Sequence, residues 1–216
     1  MEQKSEIRCA IEELSMVIIA KPGDNNADSA FISAESFLSL CYLVLQVLDK
    51  IGPTMAVLTR DISQNVKAVR LVHKSNPSVN SNLVEILKVE ASLGKAKKKG
   101  PSCSNAFVWL TRSLDFALAL LQSVAGDGGR NMEEIVTECY NNTLKPWHGW
   151  ISSAAFRVAL KLVPDSRTFV DLLKSKDEDY DTVKEEMQEL VSLLGPFLHD
   201  VHCILEVYKL AKIKST

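Results

Sequence analysis

Three places in the chain combine residue types that can act on a ligand. Asp61 and Asn65 stand four apart in a helical stretch, so they share a face at the edge of an apolar stripe carrying Ile62 and Val66. A carboxylate accepts hydrogen bonds and an amide both accepts and donates, so the pair suits a polar group at the edge of a core; a solvated helix edge carries the same residue types. Trp109, with Arg112 and Ser113 close by, offers a flat indole on which a sugar ring can stack, or else an ordinary core side chain. The segment Lys145-Pro146-Trp147-His148-Gly149-Trp150 places two tryptophans around a histidine and a glycine. Tryptophan is favoured at membrane interfaces, and His148 can donate to a carbonyl from one ring nitrogen.

Other chemistry has less support. His199 and His202 lie on one helical side with Asp200 between them, but no third ligand accompanies them, so a helix end is the better account and no metal is expected. There is no GxSxG, no activated-cysteine signature and no phosphate loop. Acid–base work by Asp61 and His148 stays open on residue types alone, but nothing else points to an enzyme or a cofactor.

The elements that must hold these residues are helices. Met55, Leu58, Ile62, Val66 and Val69 form one stripe. Phe107, Leu110, Leu114, Ala117, Leu121 and Val124 form a second, after a Ser-Cys-Ser-Asn opening that can cap a helix. Ile151, Ala154, Ala155, Val158 and Leu162 form a third, ending before Pro164. Segments 6–20, 31–50, 80–93, 131–145, 183–194 and 197–212 read the same way, with breaks at 21–26, 126–129 and 174–181. No strand alternation, repeat or long linker interrupts them, which predicts a single all-α domain over residues 1–216 with about eight helices. Some helices are apolar on more than one face: Trp109 and Phe116 are displaced from the second stripe, and Phe156 and Leu160 sit beside the third. Such faces are buried between two layers or line an apolar pocket.

Composition narrows the partners. The chain has 216 residues, 46% apolar and 24% charged, with a formal charge of −2, which gives no basic field for nucleic acid. Lys95, Lys97, Lys98 and Lys99 make the single dense cluster, read as a solvated loop. Five scattered cysteines, a charged N-terminus (MEQKSEIR) and the lack of a run of eighteen apolar residues lead to the expectation of a soluble cytoplasmic protein.

Four stretches taken in order resemble the glycolipid transfer protein family, especially its plant members. They are Asp61-Ile62-Ser63-Gln64-Asn65, Trp109-Leu110-Thr111-Arg112, Trp147-His148-Gly149-Trp150 and Gly195-Pro196-Phe197-Leu198-His199-Asp200, and the resemblance spans about residues 35–202. It implies an all-α, two-layer helical sandwich enclosing an apolar lipid pocket, and a carrier that moves sphingolipid between membranes. By position, it implies that Asp61 accepts from the ceramide amide N–H and His148 donates to the amide carbonyl. Asn65 then holds sugar hydroxyls, and Trp109 stacks under the first sugar. Phe116 and Phe156, with Leu58 and Ile62 of the stripe, line the chain pocket, and Trp150 docks on the membrane.

The phosphate-selective branch of the fold carries a lysine at the Asn65 position and an arginine at the Trp109 position. An amide and an indole there favour a neutral glycosylceramide over ceramide-1-phosphate. Two departures bear on the headgroup: the basic residue expected seven positions after the aspartate is Ala68, and Ser33-Ala34-Glu35-Ser36-Phe37 replaces a Thr-Lys-Pro-Phe type segment. The expectation is a monomeric, non-enzymatic carrier with a sphingolipid ligand, transient membrane contact and no specified protein partner. A lipid sensor acting through a protein partner is the alternative.

Overall fold

The computed structural model describes residues 4–16, 30–94, 102–126, 129–176 and 178–214. Within them nine α-helices follow one another: α1 (Glu6–Met16), α2 (Ala34–Ile51), α3 (Ala56–Ser75), α4 (Leu83–Ser92), α5 (Cys103–Gly126), α6 (Met132–Thr143), α7 (Trp150–Leu160), α8 (Ser166–Leu173) and α9 (Tyr180–Val207). The described residues contain no strand, only an isolated antiparallel bridge between Ser33 and Asn82. The lysine cluster at 95–99, the break at 21–26 and the expected helical residues 17–20 lie outside the described residues.

Local chemistry fixes where the helices begin. Asn82 caps α4 through Val84 N–H, while its side chain also accepts from Ile32 N–H and donates to Ala30 carbonyl. One amide thus pins the strand-like lead into α2 against the start of α4. Ser102 caps α5 through Asn105 N–H, and the Glu90 carboxylate accepts from the N–H groups of Cys103 and Ser104. A carboxylate at that end also meets the positive pole of the helix. Gly52 ends α2 at φ 106°, a left-handed value that favours glycine, and its N–H bonds back to Leu48. The chain can then turn through Pro53–Met55 straight into α3.

Packing closes these helices into a ring: α2 on α3, α3 on α5, α5 on α9, α9 on α1, and α1 back on α2. Across the ring α2 and α5 face each other and meet at one end, where the buried rings of Phe37 and Phe107 lie 4.6 Å apart. Beyond that contact they part. The result is a two-layer helical sandwich, one layer led by α1 and α2 and the other by α5 and α6, with a space between them.

Two expectations need correction. The segments 183–194 and 197–212 are one helix, α9, with Pro196 inside it. An internal proline costs about 3 kcal/mol through its missing N–H and its ring. Leu190, Leu194, Phe197, Leu198 and Val201 are all buried around it, at roughly 1.5–3 kcal/mol each, so burial decides. Second, α8 was not anticipated: Asp165 caps it through Thr168 N–H, and Phe169, Val170 and Leu173 are buried. By length and mean hydropathy, α5 and α9 are also apolar enough to cross a membrane, although neither is an unbroken apolar run. In this fold they pack on each other, and α5 carries Arg112 and Asp115.

Candidate lipid-binding site

The space between the layers is a cavity of about 420 Å³ with overwhelmingly apolar walls. For scale, an apolar cavity of about 150 Å³ takes up benzene, so this one has room for a much longer hydrocarbon. The α3 stripe changes character along its length: Val66 and Val69 are buried in the core, whereas Leu58 and Ile62 line the cavity. On α5 the fully buried Phe107, Val108 and Leu110 lead into a cavity face with Trp109, Ser113, Phe116 and Leu120. Phe156 of α7 completes that wall, its ring stacked on Tyr140 at 3.5 Å. All four side chains assigned to the chain pocket, Leu58, Ile62, Phe116 and Phe156, therefore meet here.

Three of the four headgroup candidates also reach the cavity. Asp61, Trp109 and His148 line it, and the Trp109 and His148 rings are 5.5 Å apart. His148 arrives there because the chain winds tightly after α6. Leu144 and Lys145 N–H groups both bond Tyr140 carbonyl, and Trp147 and His148 N–H groups both bond Leu144 carbonyl. Asn65 does not line the cavity; its amide donates to the backbone carbonyl of Asp61 at 3.1 Å. Trp150 points away from the cavity and is 79% exposed.

The charges at this end are unusual. The Asp61 carboxylate has no hydrogen-bond or ion-pair partner among the described residues, and although the side chain reaches solvent, partial burial raises its pKa. Burial, and then the nearby Arg112, hold His148 below its ordinary value, which keeps the ring neutral at neutral pH. A neutral imidazole has one donor and one acceptor nitrogen. Tyr140 Oη sits 3.3 Å from its Nδ1 and donates to Ser153 Oγ at 3.2 Å. In that order Nδ1 carries the proton; turning both hydroxyls round delivers a proton to Nδ1's lone pair and leaves Nε2–H as the donor. The site therefore holds an unpaired acceptor and a tautomer-adjustable donor beside an indole.

Tyr140 and Arg112 were not assigned roles from sequence. Tyr140 continues the buried face of α6 after Ile135, Val136 and Cys139, a position that reads as core. Arg112 is only 3% exposed and lies over two indoles, 4.0 Å from the Trp147 ring centre and 4.9 Å from that of Trp109. An arginine inside an apolar stretch was the available signal. On α9, His202 Nε2 is 2.9 Å from Asp115, which raises its pKa, and His199 lies near Cys203. No cluster of three metal-ligating side chains exists among the described residues. Arg70, two residues beyond Ala68, donates to Tyr42 Oη.

Comparison with known proteins agrees with this architecture. The model of the family "Glycolipid transfer protein (GLTP)" matches residues 32–175. Glycolipid transfer protein 3 of Arabidopsis thaliana is 50% identical, over 99% of this chain and 94% of its own length. Glycolipid transfer protein 1 of the same plant is 32% identical, over 88% of this chain and 92% of its own. A solved structure of FAPP2, which selects simple glycosphingolipids using the GLTP fold, superposes with a TM-score of 0.77 at 28% identity, covering 89% of this chain and 93% of that one. Arabidopsis ACD11 bound to C12 ceramide-1-phosphate shares the fold, with a TM-score of 0.81 at 18% identity and coverage of 96% and 98%. By sequence match and by fold, this chain belongs to the glycolipid transfer protein family.

Proposed function

We propose that the protein is a non-enzymatic cytoplasmic carrier that withdraws a sphingolipid from one membrane and releases it into another, with neutral glycosylceramide as its preferred cargo. The observation that carries this is that Asp61, Trp109 and His148 line one apolar cavity, with the Trp109 and His148 rings 5.5 Å apart. A ceramide amide presents one N–H and one C=O. The unpaired Asp61 carboxylate accepts from the first and His148 Nε2–H donates to the second, satisfying both once water is excluded. The first sugar stacks on Trp109, with Asn65 one helical turn beyond Asp61 to meet hydroxyls. The hydrocarbon enters between α2 and α5.

Burying hydrocarbon contributes about 0.8 kcal/mol per CH₂, but the membrane supplies the same term, so pickup and release stay nearly balanced. Polar contacts then decide which lipid is held. Neutral groups favour a sugar over a phosphate here, because Arg112, the cation beside Trp109 and His148, is buried and donates to backbone carbonyls. The exposed Trp150, Ile151 and Val158 of α7 provide the membrane-contacting face.

Intervesicle transfer of fluorescent glucosylceramide beside ceramide-1-phosphate, with wild type and Asp61→Val, tests both levels. Fast glucosylceramide movement that the substitution abolishes, at unchanged helicity, is the expected result. Preference for the phosphate would keep the carrier and overturn the cargo. Movement of neither lipid, or chemical turnover of the lipid, would overturn the carrier itself.

A further inference from the structure

The carbonyls that receive Arg112 belong to the C-terminal segment. Nη1 donates to Ile213 at 2.7 Å and Nη2 to Ala211 at 2.9 Å, about 100 residues along the chain. The same guanidinium lies over Trp109 of α5 and over Trp147, the residue next to His148. Three segments that share no continuous element, namely α5, the α6–α7 connection and the residues after α9, converge on one planar group. No carboxylate among the described residues forms an ion pair with it: Asp115, one turn along α5, lies near enough to favour its charge but is bonded to His202.

Removing a cation from water is costly, and a buried apolar side chain would serve stability as well or better. Burial lowers the Arg112 pKa to about 10, so the cation persists at neutral pH. What arginine supplies and lysine or methionine cannot is a rigid fork with flat faces, able to bond two carbonyls while stacking on aromatic rings. We propose that Arg112 is the positioning residue of the headgroup site, setting the distance between the Trp109 platform and the His148 loop and using the docked C-terminal segment as its anchor. This rests on the proposed headgroup roles of Trp109 and His148. Lipid selectivity then depends on residues 211–213, which touch neither the cavity nor the proposed amide contacts.

Two variants test it: Arg112→Lys, which keeps the charge and loses the fork, and a chain truncated after Leu210, which keeps Arg112 and loses both carbonyls. The readouts are the ratio of glucosylceramide to ceramide transfer and hydrogen exchange of the amide of Ile213, which bonds Leu210 in the intact protein. In wild type the ratio favours glucosylceramide. Arg112→Lys should release the Ile213 amide and lower the ratio by roughly tenfold, the effect of one well-placed polar bond displaced. The truncated chain should lower it similarly. A merely structural arginine would slow both lipids together, and an unchanged ratio in either variant overturns the proposal. A lowered ratio with Ile213 still protected in Arg112→Lys overturns the anchoring role. A wild type that moves lipid without regard to headgroup overturns the functional reading on which the inference rests.

Discussion

Helices α7 and α8 are neighbours in sequence and opposite in construction. The eight residues of α8 bury Phe169, Val170 and Leu173, whereas the eleven of α7, the more apolar by composition, bury none to the same degree. Phe156 and Leu160 turn towards the cavity and Trp150 and Val158 towards solvent, while Ile151 is exposed and also borders the cavity. Apolar surface that the fold does not bury is surface available to something else. The proposed function assigns one face to a ligand and the other to a bilayer.

Substitutions can sharpen or break this contrast. The largest loss of stability should come from the core that α7 does not share: Leu198→Ala on α9, 2% exposed, should cost about 2–5 kcal/mol in chemical denaturation. Phe156→Ala removes one half of the Tyr140 stack and part of the cavity wall. It should cost about 1 kcal/mol while markedly weakening lipid uptake, because its ring, besides stacking on Tyr140, borders the cavity. Wild-type stability after Leu198→Ala, or a collapse after Phe156→Ala, would dissolve the distinction.

The histidines divide along the same line and should respond to pH with opposite sign. His148 is depressed in the folded state, so its contribution is present above the unfolded value near 6.5 and is lost as pH falls through the lower folded pKa. His202 is raised, first by its hydrogen bond to Asp115; its contribution is present below that unfolded value and fades as pH rises through the higher folded pKa. Melting temperatures across about pH 5 to 8 should therefore lose their acid-side decline in His148→Gln and their alkaline-side decline in His202→Gln. The smallest stability change belongs to Trp150→Ala, within about 0.5 kcal/mol, with slower partition to vesicles as its measurable effect.

The part legible from residue spacing was the helical period: the α3 stripe is regular over four turns. Asp61 and His148 were singled out by the family resemblance, because their residue types alone fit a solvated helix edge or a structural loop equally well. Two turns of α8 are too short for periodicity to declare itself. Pro196 reads as a stop because sequence does not show how much apolar surface on either side will be buried. Asn65 stands on the right face, yet its amide bonds its own helix, a choice between local partners that spacing cannot make. Arg112 escaped for the opposite reason: its bonding partners lie about 100 residues away and are backbone carbonyls with no side-chain signature.

The clustering of indoles at one end has a spectroscopic consequence. The chain has three tryptophans; two flank the Arg112 guanidinium, and the third stands out in solvent on α7. None reports on the seam between α5 and α9. Intrinsic emission is therefore blind to most of the core and confined to the end where lipid and membrane are proposed to arrive. Quenching of Trp109 by a seated headgroup and a blue shift of Trp150 on vesicles would be separable signals in the unlabelled protein, and single Trp→Phe replacements would assign each one.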